Sequence, residues 1–313
     1  MTKKLITVIG ATGAQGGGLA RAILADKTGE FSVRAVTRKP DGDAARALAA
    51  AGAELVSADL DDVESVKRAF DGAYGAYCVT NYWEHMSPDK EIAQAKNLAD
   101  ASKASGVTHV IWSTLEDTRK RVPVSDERMP TLHGRFKVPH FDTKGESDAQ
   151  FDPARTTYLA TSFYWENLIY FGMNPKPDAS GKLGFVLPMG DKKMPGIAAE
   201  DIGKCAYGLF KRGATAIGQH LGIAGEHLSG AQMAQALSQA LEREVHHTDV
   251  PPAVFRSFGF PGADDLGNMF QYYAEFADEF CAARPLADSR ALNPELLTFA
   301  AWLGKYKSKI PLS

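Results

Sequence analysis

Three glycines within seven residues, Gly10, Gly13 and Gly16, stand between a short apolar run and a helix-length segment. No other feature narrows the folds open to this chain so far. Glycine at a tight turn reaches backbone angles that side chains disfavour. Bare main chain also lets an anion approach, and the first N–H groups of the following helix have no internal partner. A lone glycine trio is compatible with a plain turn, but its surroundings argue for more. Apolar runs at residues 5–9, 33–37, 54–57, 76–80 and 109–113 read as strands, with helix-length segments between them at 17–25, 43–51, 63–70 and 88–105. The runs are near-continuous rather than alternating, as in parallel strands covered on both faces. The pattern predicts an α/β fold: a Rossmann-type, doubly wound parallel sheet that holds a dinucleotide at the carboxyl ends of its strands.

A chain of 313 residues has room for that domain and a smaller second one. We expect a nucleotide-binding domain over 1–160 and a smaller C-terminal α/β lobe over 161–313, with some segments returning to the first sheet. Residues 116–139 are rich in charge and proline and lack an apolar period, so they read as a long loop. Such loops serve as lids or binding loops, or are mobile insertions without a role, and both readings stand. Farther on, 156–160, 183–187, 220–223 and 245–250 read as strands, and 229–241 as a helix with Ser229 at its N-cap. The stretch from Gly259 to Gly262 reads as a turn before a helix starting near Ala263, with a structural role.

Net charge is −3 without a run of one sign, so neither nucleic acid nor a membrane surface is an expected partner. No apolar stretch approaches the roughly 20 residues of a membrane span, and the first apolar run is too short for a secretion signal. Cys78, Cys205 and Cys281 form no CxxC pair, which suits a reducing cytoplasm, and Cys78, in an apolar run, reads as a buried, inert thiol. The histidines form no metal motif, and no metal is expected.

The end of the second strand selects between cofactors. An NAD site usually places a carboxylate there for the ribose 2′-OH. Here Thr37 is followed by Arg38 and Lys39. Two cations suit a 2′-phosphate, which a guanidinium grips with paired, charge-assisted hydrogen bonds. This selects NADP(H) as the expected cofactor. Asp59, after the third strand, either meets the adenine edge or caps the next helix. Thr80, Asn81 and Tyr82, after the fourth strand, face the expected crevice, with a plain turn role as the alternative for Asn81.

The segments GATGAQGG, VTRKP, VTNYWE, HFDTKGE, FYWENL and GFPGADDLGNMF run through nearly the whole chain. Together they resemble the NmrA-like family, a branch of the atypical short-chain dehydrogenase/reductases, and most of all its NADPH-sensing subgroup. The resemblance implies that Gly10, Ala11, Thr12, Gly13, Ala14, Gln15 and Gly16 hold the pyrophosphate, and that Arg38 and Lys39 meet the adenosine phosphate. It implies further cofactor contacts from Asp59, Leu60, Thr80, Asn81, Tyr82, Lys144, Tyr164, Trp165, Glu166 and Asn167.

Catalysis is the open point. Ordinary members of the superfamily place Tyr-x-x-x-Lys on one helix face. This register reads His140-Phe-Asp-Thr-Lys144, so the lysine is present and the tyrosine is not. His140 has three readings: a substitute proton donor, a helix-start residue without chemistry, or a cofactor contact. Ser113 and Thr114 stand where the usual catalytic serine would be. Tyr82, Trp83, Tyr164 and Trp165, with Tyr272 and Tyr273, either line a pocket or belong to the core. A complete cofactor site with an altered catalytic register suggests a redox sensor that answers to NADPH through a regulatory partner. The alternative is an NADPH-dependent reductase of a small carbonyl, quinone or imine substrate.

Overall fold

The computed structural model describes residues 2–178 and 181–312; residues 1 and 313, the outer bounds of the two expected domains, lie outside them. The first half alternates strand and helix: β1 (Lys4–Val8), α1 (Ala14–Ala25), β2 (Phe31–Val36), α2 (Asp43–Ala50), β3 (Glu54–Val56), α3 (Val63–Phe70), β4 (Gly75–Cys78), α4 (Pro88–Ala104), β5 (His109–Thr114), α5 (Pro139–Ser147) and β6 (Thr156–Ala160). The second half adds β7 (Phe163–Tyr164), α6 (Asn167–Tyr170), β8 (Lys176–Pro177), β9 (Leu183–Val186), β10 (Lys193–Ile197), α7 (Ala199–Arg212), β11 (His220–Gly222), β12 (Glu226–Ser229), α8 (Gly230–Leu241), β13 (Val245–Thr248), α9 (Pro252–Arg256) and α10 (Ala263–Glu275). Three short helices close the chain: α11 (Ala277–Ala282), α12 (Leu286–Leu292) and α13 (Phe299–Tyr306).

Seven parallel strands form the main sheet in the order β11-β6-β5-β4-β1-β2-β3. Strand order reverses between β1 and β4, and a crevice opens there at the carboxyl ends. Every residue of β4 and β5 is buried, which accounts for the apolar runs at their centres. Local signals set the helix starts: Asp62 caps α3, Ser87 and Pro88 open α4, and Ser229 forms a reciprocal capping box with Gln232 on α8.

Past residue 160 the chain returns to the main sheet. β11 extends the main sheet, and α7 lies against α1, where Ile202, Cys205, Ala206 and Leu209 share a core with Leu19, Ala20 and Ile23. A second core fills the lobe built on the sheets β12-β10-β7 and β13-β9-β8.

Residues 116–139 are neither a free lid nor a loose insertion. Val122, Met129 and Val138 sit in the lobe core, and Phe136 is buried under the guanidinium groups of Arg119 and Arg135. The Lys137 ammonium is fully buried and donates to Asp126 O, Met129 O and Thr131 Oγ1. The buried Asp142 carboxylate accepts from the N–H groups of Thr118, Lys137 and Val138 and from Thr118 Oγ1. The apolar anchors are spaced too irregularly to register as a period, so the sequence reads as open loop.

α1 and α7 meet backbone to backbone. A Cβ on Gly203 would collide with Leu19 N, and one on Gly18 with Glu200 O. Neither collision is with a flexible side-chain tip, so the helices themselves must move. Gly203→Ala is expected to lower stability by at least about 2 kcal/mol in urea denaturation. It should also disturb the crevice, because α1 opens it.

Candidate functional site

The crevice begins at the turn between β1 and α1. Gly10 takes φ +62°, and its carbonyl accepts the Gly13 N–H at 2.8 Å. A Cβ on Gly16 would stand 2.5 Å from Gly10 O. Gly13 occupies the N-cap of α1 without a side-chain cap. The first-turn amides therefore point, uncapped, into a cradle of bare main chain. That cradle fits a pyrophosphate.

From the turn a cleft of about 970 Å³ runs across the carboxyl ends of the strands. It brings together Gly10, Thr12, Gly13, Ala14, Gln15, Gly16, Arg38, Lys39, Asp59, Leu60, Thr80, Asn81, Tyr82, Lys144, Tyr164 and Asn167. Ala11 lies beneath the turn, fully buried, with its N–H on Val36 O. Two expected contacts are elsewhere. Trp165 sits in the lobe core against Phe299 and Trp302. Glu166 accepts from Ala199 N–H and Trp302 Nε1, and burial pushes its carboxyl up. The break has a simple cause: β7 ends at Tyr164, so the next side chains turn inward under β10.

The Arg38 guanidinium is already engaged, bonded through both terminal nitrogens to Glu84 on the turn after β4. The pair is well exposed, so it has little strength in water. A phosphate with two negative charges would compete for the same guanidinium. Asp59 lines the cleft and accepts the Asp61 N–H, while the helix cap falls to Asp62.

Lys144 is held more firmly. Its ammonium donates to Thr80 O at 3.1 Å and Thr80 Oγ1 at 2.7 Å, and lies 3.0 Å from Glu91 Oε1. Glu91, on α4, is wholly buried and also accepts from Thr80 Oγ1. Burial alone would push this carboxyl up, but Lys144, His85 and Thr80 together bring it down to about 2. The sequence offered no sign of this partner.

The former catalytic-serine positions are spent on structure. Ser113 Oγ donates to Gln15 Oε1 at 2.8 Å, as does the Tyr77 hydroxyl, and Gln15 Nε2 donates to the Tyr164 hydroxyl. Thr114 Oγ1 donates to Asp148 at 2.6 Å. His140 lines the cleft, one turn before Lys144, and its Nδ1 is 2.7 Å from Asp265 Oδ1. Asp265 comes from α10, just past the Gly259–Gly262 turn that the sequence marked as structural.

The same helix brings Leu266 and Met269 to the cleft, and Gly262 at its start lies against the Trp83 ring. Of the aromatic residues, Tyr82, Trp83, Tyr164 and Tyr273 line the cleft, while Tyr272 lies outside it in the core. Thr161, Ser162 and Phe163, just past β6, also line it. Ser162 Oγ is buried there without a hydrogen-bond partner, a hydroxyl that a bound molecule would satisfy. The position of 161–163 at a strand's carboxyl end was the available signal. Cys78 and Cys205 are buried, and burial pushes both thiols up. Among the described residues no cluster suits a metal ion, and no helix is long and apolar enough to cross a membrane.

Comparisons with known proteins bear on the family and the fold. The NmrA-like family matches residues 2–303. The NmrA-like family domain-containing oxidoreductase FrzB of Cladobotryum sp is 28% identical, over 96% of this chain and 93% of that protein. The negative transcriptional regulator Nmra, solved in complex with NADP, superposes with TM-score 0.75 at 25% identity, covering 97% of this chain and 95% of its own; the same protein has been solved with NAD. The Citrobacter sp. triphenylmethane reductase, solved with NADP(H), shares the fold with TM-score 0.70 at 17% identity, covering 97% of this chain and 99% of its own.

Three outcomes follow from these contacts. Arg38→Asp should weaken NADPH by about 10- to 100-fold in calorimetry, the worth of charge-assisted bonds to a phosphate, and leave NADH nearly unaffected. The Glu91 carboxyl sits below its ordinary value of 4.5, so its stabilising effect is complete above that pH and fades as pH falls toward 2. Acid unfolding should steepen across that window, and Glu91→Gln should remove that contribution. At neutral pH the same variant, leaving Lys144 buried without its counter-ion, should cost about 3 kcal/mol.

Proposed function

The chain belongs to the NmrA-like family, and on that premise we propose that it is an NADPH-dependent reductase of a small carbonyl, quinone or imine compound. One observation carries the reading. Besides the polar positions that suit a dinucleotide, the cleft is lined by a set of apolar side chains, Leu115, Phe163, Phe171, Leu266, Met269 and Tyr273, which we read as the walls of a substrate chamber. A protein that only senses a nucleotide needs no such room, whereas a substrate does.

The residues divide the work. The uncapped amides of α1 take the pyrophosphate in the cradle shaped by Gly10 and Gly16. Arg38 leaves Glu84 for the 2′-phosphate, with Lys39 adding charge. Lys144 has its three protons committed to Thr80 and Glu91, and exchanges the longest of these bonds for a ribose hydroxyl. The apolar walls exclude water from the reacting face. When bound, NADPH supplies the hydride. Three unpaired cysteines, two of them buried, suit a reducing cytoplasm.

The second reading, a regulator that responds to NADPH, is favoured by the Arg38–Glu84 pair. A 2′-phosphate that takes Arg38 frees the turn carrying Tyr82 and Trp83, a contact that NADH would not disturb.

A panel of uncharged quinones, cyclic imines and aldehydes, followed by loss of NADPH absorbance, decides between the two. Sustained oxidation with at least one member, faster with NADPH than with NADH, is the expected result. Tight NADPH binding with no oxidation across the panel would leave the regulator.

A further inference from the structure

Two halves of the chain meet at one imidazole. Asp265 Oδ1 lies 2.7 Å from His140 Nδ1, and Asp265 Oδ2 accepts the His140 backbone N–H at 3.2 Å. Both residues are buried, with 6% and 3% of their surface exposed. A carboxylate only accepts, so the proton between them sits on Nδ1. The ring is wedged against Trp83, with centroids 4.7 Å apart, and lines the cleft. Among the described residues Nε2 has no protein partner. This is a carboxylate-oriented histidine with its second nitrogen left for a ligand.

Resting on the reductase reading, we propose that His140, aimed by Asp265, is the proton donor to an uncharged C=O or C=N acceptor in the chamber, with Asp265 as its positioning residue. The other nearby donors are poor candidates. Burial pushes the Tyr82 and Tyr273 phenols far up, which makes them weak acids. Lys144 has no uncommitted proton, and Ser113 donates to Gln15. An iminium cation takes hydride without a proton, so a donor is needed only where the acceptor is uncharged. In the step, the acceptor carbon takes a hydride from the dihydronicotinamide, which is oxidised to the nicotinamide cation. The π pair of the C=O or C=N bond moves onto oxygen or nitrogen. That atom bonds the proton leaving Nε2, and the imidazolium becomes neutral imidazole. Asp265 holds Nδ1–H before and after, so the proton that comes and goes is the one on Nε2, and water restores it.

The test uses the full chain, wild type and with His140→Gln or Asp265→Asn. Nitrogen-labelled histidine NMR without nucleotide should show an Nδ1–H resonance that is absent in His140→Gln and shifted in Asp265→Asn. A neutral His140 protonated on Nε2, or a spectrum unmoved by Asp265→Asn, would overturn the orientation. NADPH titration of both variants controls for folding. With NADPH, His140→Gln should slow reduction of a neutral cyclic imine or ketone by at least about 100-fold, the usual worth of a general acid. The loss should be far smaller for an N-methylated iminium acceptor, which needs no proton. Equal losses on both acceptors defeat the donor assignment alone. A wild-type protein that turns over no acceptor defeats the reductase reading and the proton-donor role with it.

Discussion

The site rests on how closely α1 can lie against what surrounds it. Its start is bare main chain: Gly10 turns with positive φ, and Gly16 stands where a Cβ would strike the Gly10 carbonyl. Its flank is bare as well, because Gly18 and Gly203 bring α1 and α7 into backbone contact. Tight packing transmits small shifts instead of absorbing them. The helix is therefore fixed in direction as well as position, and its uncapped amides are aimed before any ligand arrives. The entropy of ordering that anion site is met in folding rather than in binding.

A second constraint sits across the cleft. Lys144, Thr80 and Glu91 form a closed, buried group that ties α5 to the end of β4 and to α4. A buried ion pair is weak as a source of stability, since desolvation offsets much of its attraction. Its value here is geometric. It holds α5 at one rotation, and His140, a turn earlier on the same face, is held with it.

The lobe built from the second half of the chain completes the site. α10 sends Asp265 to His140 and Leu266 and Met269 to the chamber, and Asn268 donates to the carbonyls of Pro130 and Lys137. The long stretch 116–139 is thereby bound to the lobe and braces α5 from behind. Residues from both halves of the sequence thus line one cleft.

The local rules of the chain were legible in advance. Continuous apolar runs marked the buried parallel strands, the glycine turn marked the ligand end, and Ser229 marked its helix. Arg38 and Lys39 were visible because they directly follow a strand. Irregularly spaced anchors such as Val122, Met129 and Phe136 were not legible, because burial without a period leaves no pattern in one dimension. Trp165 and Glu166 were misplaced because one step beyond Tyr164 turns the chain from cleft to core. The sequence by itself determined the sheet, the turn and the missing tyrosine, all of which follow from neighbours a few residues apart. Only the tertiary structure decided that Glu91 neutralises Lys144 and that Asp265 orients His140. Those pairs are separated by 53 and 125 residues, and electrostatic forces act through space, not along the chain.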